Sequence, residues 1–256
     1  PPPPPPPPPF FFHPPPRHTR SSLGLVGSEM CIRDRAEAVR AFLAHLDVAE
    51  VSQFDALFEA PALLLKKPQL KSRPRRATVV TTTGGGGAML VDQLSIRGVD
   101  LAGLSPASTI FFKDQQIPCG SGKLVDVTLA GAQYDIMKKT IAQLINDPET
   151  GIVVVAIGSS AQFNPELAVK PIIDAVEENP AAAPVIAFPL PIAKQSMAML
   201  EANGIPCFGS VESCADSVAL LLAAESSRLD DQIDDGLSLI HISEPTRPRL
   251  ISYAVF

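Results

Sequence analysis

The sequence predicts an α/β protein: a doubly wound, five-stranded parallel sheet with helices on both faces, in three α/β/α layers. Three observations carry this. Ile152-Val153-Val154-Val155-Ala156-Ile157 is apolar without a break, as in a strand covered on both faces. Strand-like and helix-like segments alternate from residue 77 to 224. Segment 133–146 sets Ile136, Met137, Ile141, Leu144 and Ile145 on one stripe, the pattern of a helix lying on a sheet.

The elements follow in order. Ala36–Leu43 and Phe54–Ala60 read as helical, and Asp47–Val51 between them as a short strand. A Pro- and Lys-rich linker runs from Lys67 to Pro74, and the basic cluster Lys66-Lys67 to Arg75-Arg76 reads as a solvated lead-in to the sheet. Strands are expected at 77–82, 99–103, 152–157, 184–188 and 205–208. Helices are expected at 87–97, 133–146, 165–178, 193–203 and 211–224.

The first strand, Ala77-Thr78-Val79-Val80-Thr81-Thr82-Thr83, is β-branched and ends in hydroxyl residues. Gly84, Gly85, Gly86 and Gly87 follow and open a helical pattern. Such a turn lets an oxyanion reach backbone N–H groups, and the helix end adds partial positive charge. A phosphate or carboxylate ligand fits there. The same run also serves as a tight strand-to-helix connection, and the local residues leave both readings open. In a doubly wound sheet, ligands sit at the carboxyl ends of the strands, where Gly158-Ser159-Ser160 also lies.

The two ends of the chain read differently. Val26–Arg35 can be written in codons whose reverse complement, in one frame, encodes Leu237–Thr246. Inverted copies of one DNA segment point to translated sequencing adapter, and Pro1–Pro9 with Phe10–Phe12 to low-complexity read noise. The domains expected are therefore 1–35, adapter-derived and unfolded; 36–76, a helical segment and linker trailing a preceding subdomain; 77–225, the sheet domain; and 226–256, an acidic tail and adapter.

Setting aside residues 1–35 and 237–256 removes six basic and three acidic residues, leaving 15 Lys+Arg against 24 Asp+Glu, a net charge of −9. That balance argues against nucleic acid as a partner. Of the remaining cysteines, Cys119, Cys207 and Cys214, no pair has metal-ligand spacing, and scattered thiols suit a reducing compartment. Cys119, in Pro118-Cys119-Gly120-Ser121-Gly122, reads as a loop residue or, with no histidine nearby, a poorly supported nucleophile. No apolar stretch has membrane-spanning length, so a soluble, cytoplasmic domain is expected.

An ordered series of segments is similar to one family. It comprises Val79–Asp92 with the four glycines, Val125-Asp126-Val127-Thr128, the helix with Tyr134, Ile145-Asn146-Asp147-Pro148 and Gly204-Ile205-Pro206-Cys207-Phe208. Together these resemble the NDP-forming acyl-CoA synthetases, relatives of succinyl-CoA synthetase. The match is to their flavodoxin-like ligase subdomain, which follows the subdomain bearing a phosphohistidine. The resemblance implies that acyl-CoA, NDP and phosphate are interconverted with acid, CoA and NTP through an acyl phosphate and a phosphorylated histidine. It gives Thr82, Gly84, Gly85, Gly86 and Gly87 the role of stabilising the phosphoryl group. It turns Gly158, Ser159 and Ser160 toward the acyl carboxylate and makes Asp126 a further substrate-site candidate, against a plain helix-cap or turn role. It implies no cofactor on this domain itself; CoA, ATP or ADP, and Mg belong to the parent enzyme. The partners implied are the CoA-binding, phosphohistidine and ATP-grasp domains, with an oligomer possible.

The chain departs from the family where Thr82 and Gly86 replace Asn and Pro, and where Lys123-Leu124 replaces Asn-Pro. The catalytic histidine is expected outside the chain: His45 sits on an apolar helical stretch and reads as structural. By itself the segment should be catalytically silent. A degenerate ligase-like regulatory domain of a protein acetyltransferase, sensing acyl-CoA or nucleotide, is the alternative. A flavin-phosphate module is a third reading, for which the Ser/Thr-rich phosphate loop and the aromatic sandwich are missing.

Overall fold

The computed structural model describes residues 36–46, 48–120, 122–128 and 133–223. The expectations for residues 1–35 and 226–256 lie outside these. The chain divides into two compact units, Pro1–Glu50 and Val51–Phe256.

In the first unit, α1 (Ala36–His45) carries Arg40, whose Nε lies 2.9 Å from Glu50 Oε1. His45 is exposed in the last turn of α1, where a basic group suits the helix dipole, and is not packed on an apolar face. No strand forms at residues 48–51, where Val48 is exposed and the described residues of its unit hold no sheet to join.

The second unit runs α2 (Ala56–Leu64), a 3₁₀ turn (Lys67–Leu70), β1 (Ala77–Thr81), α3 (Gly84–Ile96), α4 (Pro106–Asp114) and β2 (Leu124–Asp126). It continues with α5 (Tyr134–Asn146), β3 (Ile152–Ile157), α6 (Ser160–Phe163), α7 (Pro165–Glu177), β4 (Val185–Pro189), α8 (Lys194–Ala202) and α9 (Val211–Ala223). The sheet is parallel throughout, in the order β2-β1-β3-β4.

Among the described residues the sheet has four strands where five were expected. Segments 99–103 and 205–208 contribute only the single bridges Leu101↔Ala77 and Cys207↔Ala187, while Leu124–Asp126 forms a strand. Both shortfalls have a backbone reason. One edge of β1 is shared: Ala77 N–H donates to Asp100 O and Ala102 N–H to Ala77 O, after which Val79–Thr81 pair with Leu124–Asp126. The first segment leaves at Gly103, where a Cβ would lie 2.5 Å from Gly122 O. On the other edge, Pro206 O accepts from Ala187 N–H, but Pro206 has no N–H to return toward β4.

Strand residues alternate between two cores. Val80, Val153, Val155, Val185 and Ala187 face a core filled by α4, α5, α7 and α8. Val79, Ile152, Val154, Ile186 and Phe188 face a core filled by α2, α3 and α9. With helices on both faces, the architecture matches the doubly wound class that the alternating pattern predicts.

In the basic segment before β1 the guanidinium groups are fastened, while Lys71 stays exposed as expected of a solvated lead-in. Arg73 donates to the carbonyls of Asp147 and Thr150, Arg75 to Leu222 O, and Arg76 to the Asp100 carboxylate through Nε and Nη2. Among the described residues, no helix is long and apolar enough to cross a membrane.

Candidate functional site

The glycine run does not precede a helix; it is the first turn of α3. Thr83, extended at φ −144° and ψ 110°, is the N-cap, and its side chain makes no cap bond. Gly87 N–H donates to Thr83 O at 2.9 Å, the first bond of the helix ladder. Thr83 N–H donates to Thr81 Oγ1, whose own hydroxyl donates to Thr83 O. A helix start leaves four N–H groups without carbonyl partners. Thr81 takes up one, and the amides of Gly84, Gly85 and Gly86 meet no acceptor among the described residues.

The four glycines divide by surroundings. Gly86 and Gly87 are buried, and a Cβ on Gly86 would lie 2.8 Å from Thr83 Cγ2 and 3.2 Å from Leu190 Cδ2. Gly84 and Gly85 are exposed, and a Cβ on Gly85 would meet nothing within 4 Å. The first pair is needed for packing, and the second leaves backbone open to an incoming group.

Two further loops meet this turn. Gly158, after β3, donates its N–H to Thr82 Oγ1 at 2.9 Å, and Thr82 N–H donates to Ala156 O at 3.0 Å. Ser159 is the N-cap of α6 without a side-chain bond, and Ser160 begins that helix. Asp126, paired with Thr81 in the sheet, accepts through Oδ1 from Thr128 N–H at 2.9 Å and from the Thr128 hydroxyl. It is thus a turn residue, and its Oδ2 lies 3.9 Å from a Cβ placed on Gly84. Thr82, Gly84–Gly87, Asp126 and Gly158–Ser160 therefore converge on the carboxyl ends of β1, β2 and β3.

Sequence reasoning left out Thr81, Thr83 and Leu190, which frame the turn. The hydroxyl run was visible; the approach of Leu190 depends on β4 and was not. It also left out an open cleft of about 290 Å³ lined by Pro118, Cys119, Gly120, Asp126, Val127 and Thr128. Burial pushes the Cys119 thiol pKa up, so this group stays protonated, contrary to what a nucleophile needs. Tyr134, at the start of α5, donates its hydroxyl to Asp174 and ties α5 to α7.

No family model matches the chain, and no curated protein does. Solved structures do. The protein PH0766 from Pyrococcus horikoshii OT3 is similar at 22% identity and a TM-score of 0.59, over 73% of this chain and 43% of that one. The dinucleotide forming acetyl-coenzyme A synthetase 1 of Ca. Korarchaeum cryptofilum, without ligand, gives 20% identity and a TM-score of 0.54, over 67% and 37%. The same protein in complex with phosphate and ADP gives 18% and 0.60, over 77% and 44%. At these identities the likeness is one of fold. The chain spans less than half the length of each of these proteins.

Proposed function

We propose that residues 77–225 form the flavodoxin-like ligase domain of an NDP-forming acyl-CoA synthetase. One observation carries the reading: three adjacent amides, Gly84 to Gly86, open a helix at the carboxyl edge of a parallel sheet and lack acceptors among the described residues. Preorganised donors of this kind suit a phosphoryl group in transit, because they need no reorganisation when charge arrives. The fold shared with an acetyl-coenzyme A synthetase supports the same reading.

In the proposed reaction, phosphate displaces the CoA thiolate from the acyl carbonyl. A histidine nitrogen then takes the phosphoryl group and releases the carboxylate, and NDP takes it in turn. The Gly84, Gly85 and Gly86 amides hold the phosphoryl oxygens, and Gly87 and Thr82 shape the turn. Gly158, Ser159, Ser160 and Asp126 border the acyl end. The histidine, the CoA site and the ATP-grasp site, with its Mg, come from other domains of the same enzyme in the cytoplasm. This chain alone then has no turnover.

A second reading, a ligase-like regulatory domain, is favoured by one observation. The Asp126 carboxylate sits beside Gly84, where its charge opposes a phosphoryl group. One experiment separates them. The full-length protein carrying this segment is incubated with labelled acetyl phosphate or NTP, and a labelled histidine is expected. Absence of label defeats the ligase reading. Gly85→Asp should abolish labelling and turnover with the circular dichroism spectrum unchanged; surviving turnover defeats the assignment of the loop.

A further inference from the structure

The connections after β1 and β3 leave the sheet on opposite faces. Leu90 and Leu94 of α3 join one core, and Ala161, Ala168 and Val169 of α6 and α7 join the other. Neighbouring parallel strands whose connections diverge leave a crevice above them. Across this crevice runs the bond from Gly158 N–H to Thr82 Oγ1, at 2.9 Å. The contact is close on its backbone side too: a Cβ on Gly158 would lie 3.1 Å from Thr83 Cβ and 3.3 Å from Thr82 O.

From this geometry we infer that Thr82 is a positioning residue that couples the glycine turn to the Gly158–Ser160 loop. The identity of the anion rests on the function proposed above; the tie between the loops does not. Thr82 Oγ1 gives a lone pair to Gly158 N–H, two residues before the free amides begin. Gly158 O in turn accepts from Ala161 N–H and starts α6. A charge settling on Gly84–Gly86 shifts the turn, and the Thr82 bond passes that shift to Ser159 and Ser160. The coupling is reciprocal: a group seated at Ser159 and Ser160 alters the hold on the anion by the same factor. Valine matches threonine in shape but offers no acceptor, so Thr82→Val leaves a buried N–H unpaired.

The test uses amide spectra and hydrogen exchange of this chain as wild type, T82V and T82S, each with and without G85D. Gly158 N–H should exchange about tenfold faster in T82V and at the wild-type rate in T82S. The G85D carboxylate enters open space beside the free amides. It should move the Gly158, Ser159 and Ser160 resonances in wild type and T82S, and leave them in place in T82V. Equal movement in T82V, or none in wild type, overturns the inference. Should T82V fail to fold, T82A takes its place in the comparison. Titration with inorganic phosphate is read separately. If it leaves Gly84–Gly86 unmoved while G85D still acts through Thr82, the ligand reading fails and the tie stands.

Discussion

Gly87 lies against Thr81 with no room for a methyl group: a Cβ there would be 2.7 Å from Thr81 Cγ2, 2.8 Å from Cβ and 2.9 Å from Oγ1. This contact seats the first turn of α3 on the end of β1. It sets Gly87, which packing confines, apart from Gly85, which faces open space, within four identical residues.

Gly87→Ala should therefore destabilise the fold by about 1–3 kcal/mol through overpacking, outweighing a helix-propensity gain of about 1 kcal/mol. Gly85→Ala, in open space, should be neutral or stabilising by up to about 1 kcal/mol. Urea denaturation of the two variants decides. Equal destabilisation would show that the glycines are needed for one common reason.

Asp147 makes stability fall in acid. Burial raises its pKa, but hydrogen bonds from the Ser105 and Ser108 hydroxyls and the Glu149 amide, with the Arg73 charge, outweigh burial and hold it below the ordinary carboxylate value. A depressed native pKa gives stability that is complete above the unfolded value, about 3.9, and is lost as pH falls through the native one. Asp147→Asn should shrink the loss of stability seen below about pH 4. An unchanged acid limb in pH-dependent unfolding would rule this group out.

Asp216 on α9 accepts from Ser52 N–H, the Ser52 hydroxyl, Gln53 N–H and Arg97 Nε, joining the approach to α2 and the end of α3. Removing one partner of a buried charge pair strands the other. Asp216→Ala should cost about 3–5 kcal/mol, measured by thermal or urea unfolding. A loss below about 1 kcal/mol would class the pair with exposed salt bridges.

Burial raises the pKa of Cys119, Cys207 and Cys214, most at the last two. At neutral pH the folded protein should alkylate slowly at Cys119 and negligibly at Cys207 and Cys214, with each of these thiols reacting freely in denaturant. Mass-spectrometric mapping after a timed pulse of iodoacetamide checks this. Rapid modification of Cys119 would reopen its reading as a nucleophile.

Strands β1, β3 and β4 were legible because both their faces are buried: β3 falls on the expected 152–157, and β1 and β4 within a residue at each end. The shorter pairings were not. Leu124–Asp126 is three residues long and carries no periodicity of its own. Segment 205–208 looked like a strand by composition, but Pro206 limits it to one bridge. Helix α4 was missed although Ser105 and Pro106 mark its start, with Ser105 Oγ accepting from Ser108 N–H. At the site, the glycine turn and the Gly158–Ser160 loop could be read from the chain. The bond that joins them could not, because it depends on which strands lie side by side.

A landing place made of Gly84 and Gly85 presents main chain alone to any visitor. Nothing in it can be exchanged for a better group, since every substitution adds matter where there is none. Mutation can obstruct such a surface or set charge against it, but cannot tune its grip one functional group at a time. In the proposed role, any refinement of selectivity falls to its neighbours, the serines after β3 and the aspartate ending β2.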